Sequence, residues 1–200
     1  LQRLVKRLLD VAVTVLVLVA LVPLWLALAA AIKLESPGPV FFRQLRSGKA
    51  GRLFLALKFR SMTVGAEEEG LGHKVAHDDI RLTRMGRLLR RFALDELPQL
   101  LNVLRGEMSL VGPRPTLPSQ VERYTQLQRR RLEVAPGLTG WAQVNGRNSI
   151  SWDQRIELDL WYVDHWNLWL DSIILLRTIP EVLLATQAKL YGTTGITPDL

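Results

Sequence analysis

Cysteine is absent from the 200 residues, which excludes disulfides and thiolate metal sites. Histidine is scarce, and the scattered His73, His77 and His165 argue against a histidine-built metal centre. No internal repeat and no low-complexity stretch occurs. Acidic residues are in the minority: 19 Asp and Glu face 26 Lys and Arg, a net charge of +7. That balance asks for an anionic partner, and nucleic acid, anionic lipid and phosphorylated substrates all qualify. The chain carries no recognisable nucleic-acid motif and no strand aromatics of the kind that stack on bases, so nucleic acid is the weakest of the three.

Charge is also missing from Val11 to Ile32. A membrane-spanning helix needs about 20 apolar residues, and this run is long enough. Pro23 stands at its middle, where proline removes a backbone donor and crowds the preceding turn. Both flanks are basic. Arg3, Lys6 and Arg7 precede the run, and Lys33, Arg43, Arg46, Lys49 and Arg52 follow it, with only Asp10 and Glu35 opposing. Basic flanks mark the cytoplasmic side. The segment is therefore expected to be a re-entrant helix hairpin, broken at Pro23, that enters and leaves by one face; a simple span is the alternative. A signal peptide fits less well, because the run exceeds the roughly 7–15 residues of a signal core.

The remainder reads as a mainly helical α+β domain. Residues 1–34 form the membrane segment, 35–190 a catalytic domain and 191–200 a tail without a clear role. Val40–Gln44 and Leu53–Met62 predict a small β-hairpin around Ser47-Gly48-Lys49. The polar stretch 63–79, with Glu67-Glu68-Glu69-Gly70, reads as a surface loop. Arg81 to Phe92 predicts a basic amphipathic helix suited to a membrane surface or to a globular core. A further helix is expected from Glu96 to Arg105, closed by Gly106. Charged and apolar helices are expected over 119–133, 152–166 and 170–188. Trp161, Trp166 and Trp169 cluster near the last of these; tryptophan favours the headgroup layer as well as protein cores.

Asp95 and Glu96 are adjacent acids at a predicted helix start. One reading is capping, with Asp95 as N-cap and Glu96 offsetting the helix dipole. The neighbours favour another. Arg90 and Arg91 precede the pair, and Arg114 follows in a loop stiffened by Pro113 and Pro115. One carboxylate can bind Mg²⁺ together with substrate phosphates; a second can attack phosphorus and form an acyl phosphate.

Four segments resemble the bacterial sugar transferases, the monotopic phosphoglycosyl transferase family. They are Lys6-Arg7-Leu8-Leu9-Asp10; Lys58-Phe59-Arg60-Ser61-Met62; Leu94-Asp95-Glu96-Leu97-Pro98-Gln99-Leu100 through Val111-Gly112-Pro113-Arg114-Pro115; and Pro136-Gly137 through Asn148. The likeness covers about residues 3–185. It implies that Asp95 attacks the β-phosphate of a UDP-sugar and releases UMP. The covalent phosphosugar then passes to polyprenyl (undecaprenyl) phosphate. It also implies Mg²⁺ held by Glu96, membrane lipid as a partner, and a catalytic domain on the cytoplasmic face of the bacterial inner membrane. Oligomer formation is compatible with all of this. Arg114 and Arg147 can clamp phosphate oxygens in a forked geometry. Lys58, Arg60 and Arg90 can add positive potential or orient the acids, and Gln143, Asn145 and Asn148 can hydrogen-bond a base or sugar. Glu157 and Asp159 either face the site or support it. Two positions depart from the family pattern: Val22 precedes the proline and Ala93 stands two before the aspartate, where serine is common. The resemblance is to the minimal form of the family, and the chain is expected to be of that form, without the long N-terminal membrane extension of larger relatives.

Overall fold

The computed structural model describes residues 1–66, 79–146 and 150–183. The long apolar run becomes one helix, α1 (Gln2–Glu35). Asp10, Thr14, Leu28 and Ile32 are buried along it. Val17, Leu18, Leu24 and Trp25 pack against the two cores between them. Their spacing by threes and fours makes one stripe, and that stripe faces the rest of the chain. Leu16, Val19, Val22 and Leu26 are exposed on the other side. The expected break at Pro23 is not a break in helical structure, because α1 continues through it to Glu35. Proline affects one hydrogen bond and one neighbouring carbonyl. The turns that follow are held by Trp25, Leu28 and Ile32 against Phe59 and Leu89.

β1 (Phe41–Ser47) and β2 (Leu53–Phe59) form the expected antiparallel hairpin, with Phe41 opposite Phe59 and Ser47 opposite Leu53. Alternation turns Phe54 and Ala56 into the core and carries Lys58 onto the same side. The outer edge of β2 is closed by a side chain. Asn102 accepts from Leu57 N at 3.0 Å and donates to Leu55 O at 2.8 Å, doing the work of a third strand.

α2 (Arg84–Arg91) is shorter than the expected Arg81–Phe92 helix. Thr83 caps it, and the Glu35 carboxylate accepts from Arg84 N and Met85 N at 2.6 and 2.8 Å. Arg81 lies before the helix, buried in an ion pair with Asp79. α3 (Gln99–Arg105) ends at Gly106, whose φ of 80° suits glycine. The chain then forms β3 (Ser109–Val111), α4 (Pro118–Glu122), α5 (Gln126–Arg129), β4 (Gly137–Thr139), α6 (Trp141–Val144), α7 (Trp152–His165) and α8 (Leu168–Leu183). The helix expected over 119–133 is thus broken into short pieces: Thr125 caps a new helix start, and a 3₁₀ turn closes the stretch. The last helix starts at Leu168 rather than 170, and its expected end, like the tail and most of the 63–79 stretch, lies outside the described residues.

The main core joins Phe54, Leu100, Val103, Met108, Leu110, Val111, Tyr162, Leu170 and Ile174. At its centre β3 and β4 pair in parallel, Ser109 opposite Gly137 and Val111 opposite Thr139. Strands of three residues carry no readable alternation, so the sequence does not announce them. The three tryptophans have separate roles. Trp161 stacks between Trp141 and His165, Trp166 donates to Asp171, and Trp169 is exposed.

β3 and β4 approach so closely that a Cβ on Gly137 would overlap the backbone of Gly112 and Thr139. Gly137→Ala is expected to destabilise the protein by about 2–3 kcal/mol, read as a lowered midpoint in thermal unfolding; an unchanged midpoint would contradict the packing.

Candidate active site

The acidic pair sits in a 3₁₀ turn, Leu94–Glu96, between α2 and α3. Ala93 precedes it in the left-handed region at φ 54°, a conformation costly for a residue with a Cβ. That residue ends α2 and swings the chain into the turn. Neither acid is a helix cap: no side-chain capping bond forms there, and Pro98 occupies the N-cap position of α3. The capping reading of Asp95 is thereby replaced by a tertiary one.

Glu96 is held by two cations from separate elements. Arg114 donates to both of its oxygens, Nη1 to Oε2 at 3.2 Å and Nη2 to Oε1 at 2.6 Å. Lys58 Nζ donates to Oε1 at 3.1 Å. The forked geometry fixes the carboxylate plane as well as its charge. Burial opposes ionisation of Glu96, but the charges and hydrogen bonds of Arg114 and Lys58 outweigh it and hold the carboxyl well below the usual carboxylate range.

Asp95 is different. It is 7% exposed, and its carboxylate accepts no hydrogen bond from the described residues. Burial pushes its pKa above the ordinary value. Lys58, Arg90 and Arg114 pull it back, while the charge of Glu96 adds to the rise. Arg90 is oriented by Ser61, which accepts from Nε at 2.9 Å.

Of the expected site residues, Asp95, Glu96, Lys58, Arg90 and Arg114 come together. Arg60 does not join them. Its guanidinium donates to the carbonyls of Ile32, Ser36 and Pro37 and to Ser36 Oγ, closing the end of α1. Asn145 is exposed and bonded to Trp141 O. Gln143 is adjacent to the Arg114 loop: a Cβ on Gly140 would meet both Gly112 O and Gln143 Oε1. Its amide nitrogen and oxygen are buried without a hydrogen-bond partner among the described residues. Arg147 and Asn148 lie outside the described residues. Asp159 supports rather than faces the acids, since it pairs with Arg131, which also donates to the Arg114 carbonyl at 3.2 Å; Glu157 is exposed. Sequence reasoning passed over Ser61 and Asp10 as site elements, although both stand inside the motif segments quoted above.

A family model described as bacterial sugar transferase matches residues 1–185. The chain belongs to that family. Among its relatives, an "Uncharacterized sugar transferase EpsL" of Bacillus subtilis is 48% identical over 90% of this chain and 88% of its own length. A Xanthomonas campestris protein named UDP-glucose:undecaprenyl-phosphate glucose-1-phosphate transferase is 45% identical over 89% of this chain, which spans only 38% of that protein. A UDP-N-acetylgalactosamine-undecaprenyl-phosphate N-acetylgalactosaminephosphotransferase of Aeromonas hydrophila is 43% identical over 92% of the chain and 45% of its own length.

Among the described residues no three His, Asp or Glu side chains gather as a metal cage. Mg²⁺ does not need one, since it takes one or two carboxylates, keeps waters and shares substrate phosphates. Glu96 retains lone pairs beyond its three hydrogen bonds, and those of Asp95 are unengaged. The donor set fits that sparse ligation.

At neutral pH an aspartate whose folded pKa is raised costs stability when it ionises; the contribution is favourable below its unfolded pKa and is lost as pH rises through the folded one. Asp95→Asn is therefore expected to raise the thermal midpoint at pH 7 and to leave it unchanged at low pH. A lower midpoint at pH 7 would overturn this account of the turn.

Proposed function

We propose that this chain transfers a sugar 1-phosphate from a UDP-sugar to polyprenyl phosphate, releasing UMP, as the first membrane step of glycan assembly. The observation that carries the reading is the asymmetry of the pair. Glu96 is neutralised by a bidentate arginine and a lysine, while the carboxylate of its neighbour Asp95 accepts no hydrogen bond from the described residues and lies near three cations. The names of the relatives support the substrate class: UDP-glucose in one, UDP-N-acetylgalactosamine in another, undecaprenyl phosphate in both.

In this reading an Asp95 oxygen attacks the β-phosphorus of the UDP-sugar. The bond between that phosphorus and the bridging oxygen breaks, and UMP leaves with the electron pair. A phosphate oxygen of the polyprenyl phosphate then attacks the same phosphorus and frees Asp95, giving a polyprenyl diphosphate sugar. Phosphoryl transfer depends mainly on positioning and charge neutralisation. Arg90, Lys58 and Arg114 provide positive potential around the transferred group. Mg²⁺, held by Glu96 with the diphosphate, would neutralise charge on the leaving group.

The contacts of α1 support a membrane arrangement entered from one face. The helix is about 50 Å long at 1.5 Å per residue. Arg7, near its start, donates to Val103 O and Leu104 O. Ile32, near its end, packs on Phe59 and accepts from Arg60. A helix that crossed a bilayer would leave one end on the far side, whereas both ends of α1 bind the same domain. This favours insertion from one face, with the exposed apolar side of α1 in lipid and the exposed Trp169, Leu176 and Ile179 of α8 adding to it. The basic flanks favour the cytoplasmic face for the catalytic domain.

A panel of UDP-sugars with undecaprenyl phosphate tests the reading by UMP release. One donor is expected to be turned over, to leave its labelled phosphosugar on Asp95, and to be inert in EDTA; label on another residue would overturn the covalent step. Burial lifts the Asp95 pKa, so the rate is expected to fall on acidification with a midpoint above that of an ordinary aspartate. Arg90→Gln, which removes a charge that lowers this pKa, is expected to move the midpoint further up; a downward move would contradict the electrostatics.

A further inference from the structure

The strand that delivers Arg114 to the acidic turn is held from the membrane helix. β3 runs directly into Gly112-Pro113-Arg114, and all three of its residues are buried. Asp10, 6% exposed on the inner stripe of α1, accepts from Ser109 Oγ at 2.7 Å and from Leu110 N at 3.3 Å. One turn earlier Lys6 donates to Val111 O at 3.2 Å and to Asp171 Oδ2 at 2.6 Å. The Tyr162 hydroxyl sits between Val111 O and Asp171 Oδ1, at 3.2 and 2.8 Å. Each residue of β3 is thus gripped by a polar group from α1 or from a partner of α1. If α1 needed only an anchor, an apolar residue at position 10 would pack without the desolvation that a buried carboxylate pays. A carboxylate there adds direction: two acceptor bonds fix both the register and the height of β3 against the helix.

We propose that Asp10 is a positioning residue for the transfer reaction. By fixing Ser109 and Leu110 it sets where the loop presents the Arg114 fork to Glu96. The first turns of the membrane-inserting helix are then part of the support of the active site. This rests on the functional reading above, in which Arg114 acts on the reacting phosphate. Displacement of a clamp by about 1 Å can cost on the order of 100-fold in rate, so a small movement of β3 is sufficient. On the far side of the loop Arg131 holds the Arg114 carbonyl. Loss of Asp10 therefore tilts the loop and does not release it.

The test uses the full chain in lipid nanodiscs, with Asp10→Ala, Asp10→Asn and Ser109→Ala made in both the wild-type and the Arg114→Ala backgrounds. Asp10→Ala is expected to lower kcat by about tenfold, with KM for the UDP-sugar changed less than about twofold. Asp10→Asn is expected to recover most of the rate, because its amide can accept from Leu110 N and donate to Ser109 Oγ. In the Arg114→Ala background the same Asp10→Ala change is expected to cost less than about twofold. An equal loss in both backgrounds, or a full wild-type rate in Asp10→Ala, would overturn the proposal. Ser109→Ala removes one of the two bonds from the domain side and carries the same expectation if Asp10→Ala does not fold. Amide hydrogen exchange across residues 109–115 reads the coupling without turnover. It is expected to quicken in Asp10→Ala and not in Asp10→Asn, and unchanged exchange overturns the proposal. Absence of UMP release from the unaltered chain, with the exchange effect present, faults the functional reading and leaves the coupling between α1 and β3 intact.

Discussion

Two adjacent carboxylates in one buried turn repel each other, and the surroundings of Asp95 and Glu96 are arranged around that repulsion. Glu96 receives the Arg114 fork and Lys58, and so remains ionised despite burial. Asp95 receives positive potential without a hydrogen bond to its carboxylate from the described residues. Environment alone thus separates two chemically similar groups, one fixed and neutralised, the other held by charge without a hydrogen bond among those residues. Such division between neighbouring acids is how one site assigns two roles to carboxylates.

Each cation comes from a different part of the chain. Lys58 is the penultimate residue of β2, Arg90 lies in the last turn of α2, and Arg114 follows β3. The cluster exists only when those elements are packed to within a few tenths of an ångström, which explains the bare glycines at the contacts. Gly86 lets α2 approach the Ser61 carbonyl, and Gly112 with Gly137 lets the parallel strands close. Ser61 in turn orients Arg90. The left-handed Ala93 keeps a conformation costing roughly 1–2 kcal/mol, compensated by the packing of Leu94 and Leu97 on either side of the acids.

α1 connects these parts. Its start is bonded to β3 and α3, and its end to Arg60 and the first turn of α2 through Glu35. The apolar helix is therefore bonded through side chains to the elements that supply Arg90 and Arg114. Its exposed apolar side and its domain-facing side are distinct stripes of one sequence.

Much was legible from residues 1–183 without coordinates. The uncharged run predicts an apolar membrane helix, although α1 does not show the break expected at Pro23; alternation predicts the β-hairpin, Gly106 marks the end of α3, and the Asp95-Glu96 pair with its arginines marks the candidate site. Local physics sets each of these: hydrophobic period, turn stereochemistry and charge density act over a few neighbouring residues. What only tertiary structure decided is which charges meet. Arg60 and Arg114 are equally basic in sequence, yet one closes α1 and the other holds Glu96. Asp10 reads as a charge beside a membrane segment and is found buried against β3. The parallel pair β3 and β4, three residues each, is held by contacts across 28 positions of chain and leaves no local period to read. Partner choice among like charges depends on the distance after folding, and the order of residues along the chain does not carry that distance.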